Sequence, residues 1–295
     1  MKLSAYTINA FTNQPTGGNP AGLVINPPPL TDQQMQWITK HLNVSETAFI
    51  TPSNHADYRI RFFAPDREVD LCGHATIATF YTLAAKKLLP QDKDIIHLTQ
   101  ETNVGILPIE ITIKNRQPAK VMMIQATPVI QNISYSYKEI ASILSIPSDE
   151  IDSSLPQQKV STGLYTLPIK LTSLKSLKQI QPNYQKVKSF CITHDIGSWH
   201  LFTDETKEPT SLYHARNLAP LYGVNEDPVT GTANGAVTYF LYHHHFISTQ
   251  KNICEQGDII HHPGRVHVDL TDNQIKVGGI AYILNEKEIT IPVKP

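Results

Sequence analysis

One stretch of this chain occurs twice, and this repetition constrains the possible folds more than any other feature of the sequence. The pattern Y-x-x-R-x-x-A-P occupies residues 58–65 and returns at residues 213–220. A second pattern, G-x-A-x-x-A-x-x-Y-x-L, follows each copy and begins first at Gly73 and then at Gly231. Because the units of solenoid proteins recur every ~20 to 50 residues, this much longer period predicts two homologous domains.

The composition is that of a globular protein. Its 295 residues suffice for two domains of roughly 100 to 200 residues each, and 40% hydrophobic residues can bury a core. A formal net charge of -1 gives no basis for binding nucleic acid or an anionic membrane. No apolar run approaches the ~18 residues of a membrane-spanning helix. The segment from Lys2 to Phe11 predicts a strand rather than a signal peptide.

Neither the cysteines nor the histidines have the spacing of a metal site. Cys72, Cys191 and Cys254 lie far apart along the chain. An odd number of cysteines without a signal peptide is typical of the reducing cytosol, so we expect a cytoplasmic protein. Residues 243–245 are three histidines, but neighbouring side chains on a helix point about 100° apart and cannot share one ion. The sequence therefore predicts no bound metal.

Hydrophobic patterning predicts many strands and few helices. Thr31 is a suitable N-cap for the first helix. Stretches near residues 74–88 and 232–245 have apolar residues round much of their circumference, as buried central helices do. We therefore expect an α+β protein with two homologous domains, each a curved, mostly antiparallel β-sheet or barrel around a central α-helix. Other expected elements are a helix at 137–144 and strands at 189–193, 281–284 and 288–292.

The first candidate site is the start of the helix that follows Asp70. Gly73 and His74 lie at this helix N-terminus, where free backbone N–H groups and the positive end of the helix dipole attract an anion. His74 can also hold a proton near neutral pH. The alternative is that Asp70 or Thr76 caps the helix and that His74 has only a structural role.

The second candidate site is the matching helix start in the second half. Asp227 and Thr232 are the best-placed polar groups around Gly231. The alternative is a capped helix preceded by a solvated acidic loop. Because the motif recurs opposite the first one, we favour two anion-attracting helix starts that converge on one cleft.

The third candidate is Glu46, which lies between the first helix and an apolar strand. A carboxylate beside Ala48, Phe49 and Ile50 is expected to be partly desolvated, and such a carboxylate suits proton transfer. The alternative is an ordinary glutamate at the edge of a strand. No Walker loop, G-x-G-x-x-G helix start, H-E-x-x-H or G-x-S-x-G motif is present.

Several short motifs, spread over most of the chain, form a specific set. They are Phe11-Thr12-Asn13, Gly18-Asn19-Pro20-Ala21-Gly22, Ser45-Glu46-Thr47-Ala48-Phe49, Cys72-Gly73-His74-Ala75-Thr76, Glu226-Asp227-Pro228-Val229-Thr230-Gly231, Gly264-Arg265 and Val277-Gly278-Gly279. This set resembles the PhzF-like family of phenazine-biosynthesis proteins. The resemblance implies a diaminopimelate-epimerase-like fold with the active site between two domains. The first domain would comprise residues 1–122, completed by a C-terminal strand at about 281–295, and the second residues 123–280.

The resemblance also implies an isomerase that moves a proton within a small carboxylate-bearing substrate. The founding enzyme of the family isomerises a dihydro-hydroxyanthranilate by moving a proton between ring carbons. By motif, Glu46 would be the acid/base, assisted by His74 and Asp227. The implied substrate-binding residues are Asn19, Gly73, Ala75, Gly231 and Thr232. Family members are typically homodimers that need no metal or organic cofactor.

Two other activities stay open at this point. Epimerases and racemases of the same fold use two cysteines, each directly before the glycine of a helix start. Here Cys72 precedes Gly73, but Thr230 precedes Gly231, and a threonine hydroxyl is too weak an acid for this chemistry. The other possibility is a non-catalytic protein that binds a small acid. Thr232, where the family commonly has serine, keeps the hydroxyl and adds a methyl group that narrows the pocket.

Overall fold

The computed structural model of the chain describes residues 1–90 and 92–292, except for the side chain of residue 273. The chain divides into two compact units. The first contains Met1–Ile124 and the chain from Gly278 onward, and the second contains Gln125–Val277. The sequence-based domain bounds are 1–122 with about 281–295, and 123–280. Residues 293–295 of that prediction lie outside the described residues.

The helices and strands of the first unit precede those of the second, apart from the last strand, which belongs to the first unit. The first unit contains β1 (Lys2–Ala10), β2 (Asn19–Ile25), α1 (Asp32–Leu42), β3 (Thr47–Pro52), β4 (Tyr58–Phe63), β5 (Glu68–Val69), α2 (Gly73–Ala85), β6 (Ile95–Thr102), β7 (Gly105–Lys114) and β8 (Gln117–Ile124). The second contains β9 (Val129–Asn132), α3 (Tyr137–Leu144), β10 (Gln158–Ser161), β11 (Tyr165–Lys170), α4 (Leu174–Gln179), α5 (Tyr184–His194), β12 (Ser198–Thr203), β13 (His214–Ala219), β14 (Val224–Asp227), α6 (Gly231–His243), β15 (Lys251–Gln256) and β16 (Gly264–Asp269). β17 (Lys276–Gly279) lies at the boundary, and β18 (Ala281–Thr290) follows it.

The sheet of the first unit curls around helix α2. Its strands pair in the order β18-β1-β2-β3-β4-β6-β7-β8, with parallel β2–β3 and β4–β6 pairs and antiparallel pairs elsewhere. Helix α2 packs against β18, β1, β2 and β3 at one end of this order and against β8 at the other end. One helix can contact both ends of a sheet only if the sheet is curved.

The second unit repeats this arrangement. Its strands pair in the order β9-β10-β11-β12-β13-β15-β16, with parallel β11–β12 and β13–β15 pairs and antiparallel pairs elsewhere. Helix α6 packs against β10, β11, β12 and β16. The same succession of parallel and antiparallel pairs around one helix occurs in both units. The predicted α+β fold with a central helix in each half is therefore confirmed.

The two central helices are buried on nearly all sides because their sequences offer few charged groups. Three threonines lie on the buried surface of α2, at positions 76, 79 and 82. Their hydroxyls donate to carbonyl groups one turn earlier in the chain, at 2.7 to 2.8 Å. These internal bonds let polar side chains enter the core without an unpaired donor. The observed bounds of α2 and α6 lie close to the predicted helices at 74–88 and 232–245.

Helix α1 covers the other face of the first sheet and has defined ends. Thr31 and Gln34 form a reciprocal capping box, with Gln34 N–H donating to Thr31 Oγ1 at 3.3 Å and Thr31 N–H donating to Gln34 Oε1 at 3.0 Å. The helix ends at Asn43, which has the left-handed φ of 55° typical of a C-terminal residue. Between these ends, Met35 and Ile38 pack in a core that includes Phe49 of β3.

The arginine of the repeated pattern forms the same ion pair in both units. Arg61 donates to both carboxylate oxygens of Glu68 at 2.8 and 2.6 Å. Arg216 donates in the same way to Glu226 at 2.8 and 2.7 Å. Each glutamate belongs to the short strand that leads into a central helix, β5 or β14. The repeated sequence therefore stabilises the hairpin that fixes where each central helix begins.

A contact between a basic side chain and a carboxylate also recurs, across the second parallel pair of strands in each unit. In the first unit, Arg59 of β4 contacts Glu101 of β6 at 3.3 Å. At the matching register in the second unit, His214 of β13 lies 2.7 Å from Glu255 of β15. The sequences of the two halves differ here, but the position of the carboxylate is the same.

One predicted strand is wrong. Residues 189–193 were expected to form a strand but belong to helix α5, which Asn183 caps by accepting from Lys186 N–H at 3.1 Å. Val187, Phe190 and Cys191 are buried at helical spacing and pack in the core of the second unit. Residues 189–193 are too few to show this helical spacing, and the apolar and β-branched residues among them favour a strand. The strands predicted at 281–284 and 288–292 are joined in the single strand β18.

We expect the two repeated arginine pairs to differ in their contribution to stability. The Arg216 and Glu226 side chains are 7% and 9% exposed, whereas those of Arg61 and Glu68 are 32% and 25% exposed. Glu226→Ala leaves a buried guanidinium without its carboxylate and should lower the free energy of unfolding by about 3 kcal/mol or more. Glu68→Ala should cost about 1 kcal/mol or less. Urea unfolding followed by circular dichroism measures both, and equal losses would contradict this ranking.

Glu255 should make the protein sensitive to acid. Burial raises the pKa of this carboxyl, but the His214 ring and the backbone N–H groups of Lys207 and Glu208 outweigh burial and lower it to about 2. A group with a lowered folded pKa stabilises the protein above its unfolded pKa of about 4.5. That contribution is lost as the pH falls from about 4.5 towards 2. Denaturant unfolding measured at several pH values in this range should show a smaller decrease in the free energy of unfolding for Glu255→Gln than for the parent protein.

Candidate functional site

Backbone hydrogen bonds fix the position of Glu46 before its side chain is considered. The residue lies in the connection 43–46, between the end of α1 and the start of β3. Its carbonyl oxygen accepts a hydrogen bond from Gly22 N–H at 2.9 Å, next to the parallel pairing of β2 with β3. The carboxylate therefore projects from a segment anchored on both sides.

The glycines of the Gly-Asn-Pro-Ala-Gly motif make this anchor possible. A Cβ atom on Gly22 would lie 2.3 Å from Thr47 Oγ1. Gly18 has a φ of +66°, and a Cβ there would lie 2.2 Å from the Ala10 carbonyl oxygen. Only glycine allows the backbone to pass this closely. Asn19 lies between them as the first residue of β2, with 2% of its surface exposed.

Three polar side chains surround the imidazole of His74. Glu46 Oε2 lies 3.3 Å from His74 Nε2, and the two side chains are 24% and 13% exposed. Ser45 Oγ lies 3.4 Å from the same nitrogen. Cys72 Sγ lies 3.4 Å from His74 Nδ1. The structure thus brings together two of the three predicted catalytic residues and adds Ser45 and Cys72 to them.

This cluster can hold and transfer a proton. A neutral imidazole that donates from Nε2 to the Glu46 carboxylate leaves Nδ1 as an acceptor for the Cys72 thiol. In that tautomer His74 orients an ionised Glu46, which is the form that can remove a proton. A partly exposed carboxylate with one fixed donor has the arrangement expected of a general base.

The start of α2 has the free amide groups that the sequence predicts. Its N-cap is Cys72, and no side chain among the described residues caps it. The alternative of a cap by Asp70 or Thr76 is not observed, because Asp70 is exposed and Thr76 donates back to the Cys72 carbonyl at 2.8 Å. The first backbone N–H groups of the helix, including those of Gly73 and Ala75, have no intrahelical acceptor. Ala75 is a buried residue.

The start of α6 has a polar network instead of a titratable cluster. Thr230, its N-cap, donates from Oγ1 to the Asp227 carboxylate and does not cap the helix with its side chain. Gln256 braces the turn, accepting from Thr230 N–H at 3.0 Å and donating to the Asp227 carbonyl at 2.8 Å. The Thr232 carbonyl accepts from Thr162 at 3.2 Å. Asp227 is therefore oriented by its neighbours, at the helix start formed by Gly231.

The strand registers show which residue of the second unit corresponds to Glu46. Thr47 pairs with Phe63 in the first unit, and Trp199 pairs with Leu218 in the second. Phe63 and Leu218 occupy the same position in the repeated pattern, so Ser198 is the counterpart of Glu46. The sequence did not show this match, because no motif surrounds Ser198.

The second unit therefore lacks all three titratable groups of the His74 cluster. Ser198 takes the place of Glu46, Thr230 that of Cys72, and Thr232 that of His74. The hydroxyl of Ser198 lies 2.9 Å from that of Thr166 in a buried pair. The same fold thus occurs once with a proton-transfer cluster and once with hydroxyl groups only.

Two other histidines, His244 and His200, have structural surroundings. Within residues 243–245, His244 Nε2 lies 2.7 Å from Gln158 Oε1, and burial is the largest of the influences that lower its pKa. His200 is fully buried and lies 3.2 Å from Asn217 Oδ1, and burial lowers its pKa to about 4. The roles assigned to Asn19, Asp227 and Thr232 stay predictions.

Comparison with known proteins identifies the family. The family model for phenazine biosynthesis-like proteins matches residues 8–287. The chain belongs to this family. It is similar to curated relatives that are named isomerases. The uncharacterised isomerase YfhB of Bacillus subtilis is 35% identical over 264 residues, which cover 89% of each chain. An uncharacterised isomerase of Clostridium acetobutylicum is 33% identical over 303 residues, which cover 98% of this chain and 99% of the relative.

Solved structures support the same fold. A PhzF-family phenazine biosynthesis protein of Bacillus anthracis is 33% identical, with a TM-score of 0.88 over 99% of this chain and 100% of that one. A hydroxyproline epimerase of Agrobacterium vitis is 9% identical, with a TM-score of 0.60 over 100% of this chain and 93% of that one, which shows the shared fold alone. No helix in the described part of the chain is long and apolar enough to cross a membrane.

We expect Gly22→Ala to disturb the anchor of Glu46. The new methyl group would overlap Thr47 Oγ1 and lie 2.9 Å from Leu42 Cδ1, so the free energy of unfolding should fall by about 1 to 3 kcal/mol. Thr47→Ala in the same chain should restore part of this loss. Gly73→Ala is the control for stability, because its methyl would meet only Met123 Sδ at 3.8 Å. Thermal unfolding of the four proteins tests this, and equal losses at Gly22 and Gly73 would contradict it.

Proposed function

We propose that this protein is an isomerase that moves a proton within a small carboxylate-bearing substrate, with Glu46 as the acid/base. The observation that carries this proposal is the contact of 3.3 Å between Glu46 Oε2 and His74 Nε2, directly beside the uncapped start of α2. A base, a group that orients it and a set of anion-binding amides then lie close together in space, although they come from two separate parts of the chain. The family's curated relatives, named isomerases, support the same class of reaction.

In the proposed reaction, Glu46 removes a proton from one carbon atom and returns it to another. The C–H bond breaks as the carboxylate O–H forms, and the electron pair moves through the conjugated system of the substrate. The second transfer restores the ionised carboxylate, so no oxidant or reductant is consumed. His74 holds the carboxylate in place and shares its proton, which keeps the base close to the reacting carbons.

The substrate carboxylate is proposed to bind at helix N-termini. Free N–H groups and the helix dipole stabilise a negative charge there. In the first unit these groups belong to Gly73 and Ala75, and in the second to Gly231 and Thr232. Asp227 would share protons with the substrate, and Asn19 would contact it. We also propose that the protein forms a homodimer and needs no cofactor, as its resemblance to the family implies.

The asymmetry of the two units favours this reaction over a two-thiol racemase. A racemase of this fold would need a second acid at the position of Thr230. That hydroxyl instead donates to Asp227 and is braced by Gln256 Nε2 at 3.1 Å. The titratable cluster is confined to the first unit, which suits a base that removes and redelivers a proton on one face of the substrate. The fold shared with a hydroxyproline epimerase does not change this argument.

Deuterium transfer tests the proposed role of Glu46. The protein is incubated in deuterated water with a dihydro-hydroxyanthranilate. In a separate experiment, metabolite extracts are screened for ligands that raise the melting temperature of the protein, and these ligands are then incubated with it in the same way. The partly exposed Glu46 carboxyl exchanges the proton that it has taken with the solvent, so the parent protein should incorporate deuterium at the carbon that receives the proton. Glu46→Gln should slow this incorporation by about 10²- to 10⁴-fold while the ligand still raises the melting temperature. Mass spectrometry and nuclear magnetic resonance measure the label.

Glu288→Gln is the matched control for this experiment. It makes the same chemical change in a surface ion pair of the first unit, where the Glu288 side chain is 61% exposed. It should leave deuterium incorporation unchanged. Equal incorporation in Glu46→Gln and in the parent protein would refute the catalytic role. Binding without incorporation in any variant would indicate a small-acid binding protein, and α-deuterium exchange with inversion in amino acids would indicate a racemase.

A further inference from the structure

We propose that Glu46, Cys72 and His74 form a binding site for Zn²⁺. One possible ligand atom from each residue lies within 4.8 Å of the other two. The site is not evident from the sequence, because residues 46, 72 and 74 do not have the spacing of a zinc motif. The parallel pairing of β2 with β3 fixes the connection that carries Glu46, and this connection lies beside the start of α2.

The distances within the cluster are close to those around a tetrahedral zinc ion. Zinc binds nitrogen at about 2.0 to 2.1 Å, oxygen at about 2.0 to 2.2 Å and sulfur at about 2.3 Å. A tetrahedron with these bonds places nitrogen about 3.4 Å from oxygen and about 3.6 Å from sulfur. His74 Nε2 lies 3.3 Å from Glu46 Oε2 and 3.8 Å from Cys72 Sγ. Cys72 Sγ is nearer to His74 Nδ1, at 3.4 Å, so the Cys72 side chain must rotate towards Nε2 to complete three corners of the tetrahedron.

The chemistry of the three ligands selects zinc over the abundant hard cations. Thiolate and imidazole are soft or borderline ligands, which suit Zn²⁺, whereas Mg²⁺ and Ca²⁺ prefer sites made only of oxygen. Three protein ligands leave a fourth position open, as in zinc sites that exchange water. The cluster is only partly exposed, with Cys72 at 7%, so a bound ion would be shielded by protein.

Zinc at this site would inhibit the protein. The ion would occupy the oxygen of Glu46 and the nitrogen of His74 that contact each other in its absence. Glu46 could then no longer accept a proton from a substrate. This inhibition rests on the function proposed above, whereas the binding of zinc does not.

Metal binding can be measured without any substrate. The full chain is stripped with a chelator and then titrated with Zn²⁺ in competition with a chromophoric chelator. We expect one tight equivalent per chain. Loss of an outer-shell partner alone costs about 10- to 100-fold in metal affinity, so loss of a direct ligand in Cys72→Ser should cost about 100-fold or more. Co²⁺ should give a thiolate charge-transfer band in the parent protein and none in Cys72→Ser.

Two controls exclude other ligands. Cys254→Ser makes the same change at a buried cysteine that has the Thr238 hydroxyl at 3.4 Å as a partner, and it should bind zinc as the parent does. A variant with His243→Ala and His245→Ala should also keep the tight equivalent. The absence of a tight equivalent in the parent, its loss in either control, or unchanged affinity in Cys72→Ser would overturn the proposal. If Cys72→Ser does not fold by circular dichroism, Glu46→Gln gives the same test.

The result separates this inference from the proposed function. Deuterium transfer by the zinc-free protein, without tight zinc binding, would overturn the zinc site alone. Tight zinc binding without deuterium transfer to any substrate would overturn the isomerase proposal alone. If both hold, one equivalent of Zn²⁺ should abolish deuterium transfer, and excess chelator should restore it.

Discussion

The burial of one apolar helix inside a curved sheet is the constraint on which the rest of each unit depends. The residues of α2 and α6 are buried on nearly all sides, so each helix needs a sheet that contacts it from both ends of the strand order. Such a helix has few exposed residues, and Gly73 and His74 at the start of α2 are partly exposed. The amide groups of the first turn have no acceptor within the helix and are therefore the backbone groups that can bind a ligand.

The two units share the side-chain contacts that hold their strands together, and they differ in the side chains around the start of the central helix. Both contain the bidentate arginine pair before the central helix and a contact between a basic side chain and a carboxylate across the second parallel pair of strands. Only the first contains a carboxylate, a thiol and an imidazole around one helix start. The arginine pair of the second unit is the less tolerant of change, because the buried guanidinium of Arg216 requires the carboxylate of Glu226.

Much of this architecture could be predicted from the sequence, since the duplication and the apolar helices carry strong patterns. The helix α5 was missed because three residues with strand preferences within the short stretch 189–193 outweighed the wider spacing of Val187, Phe190 and Cys191. The contact of Cys72 with His74 was also missed, because the direction of a side chain at a helix start is set by tertiary packing. The match between Ser198 and Glu46 depends on strand register, which no local motif encodes.

Ser198 has a consequence for how such a protein can change over time. A duplicated fold begins with two equal halves, and here one of them has hydroxyl groups where the other has acids and bases. Substitutions around Ser198 and Thr232 can alter size and polarity without adding or removing a group that titrates near neutral pH. The polar groups around Ser198 and Thr232 can thus vary while the cluster of Glu46, Cys72 and His74 in the first unit stays unchanged.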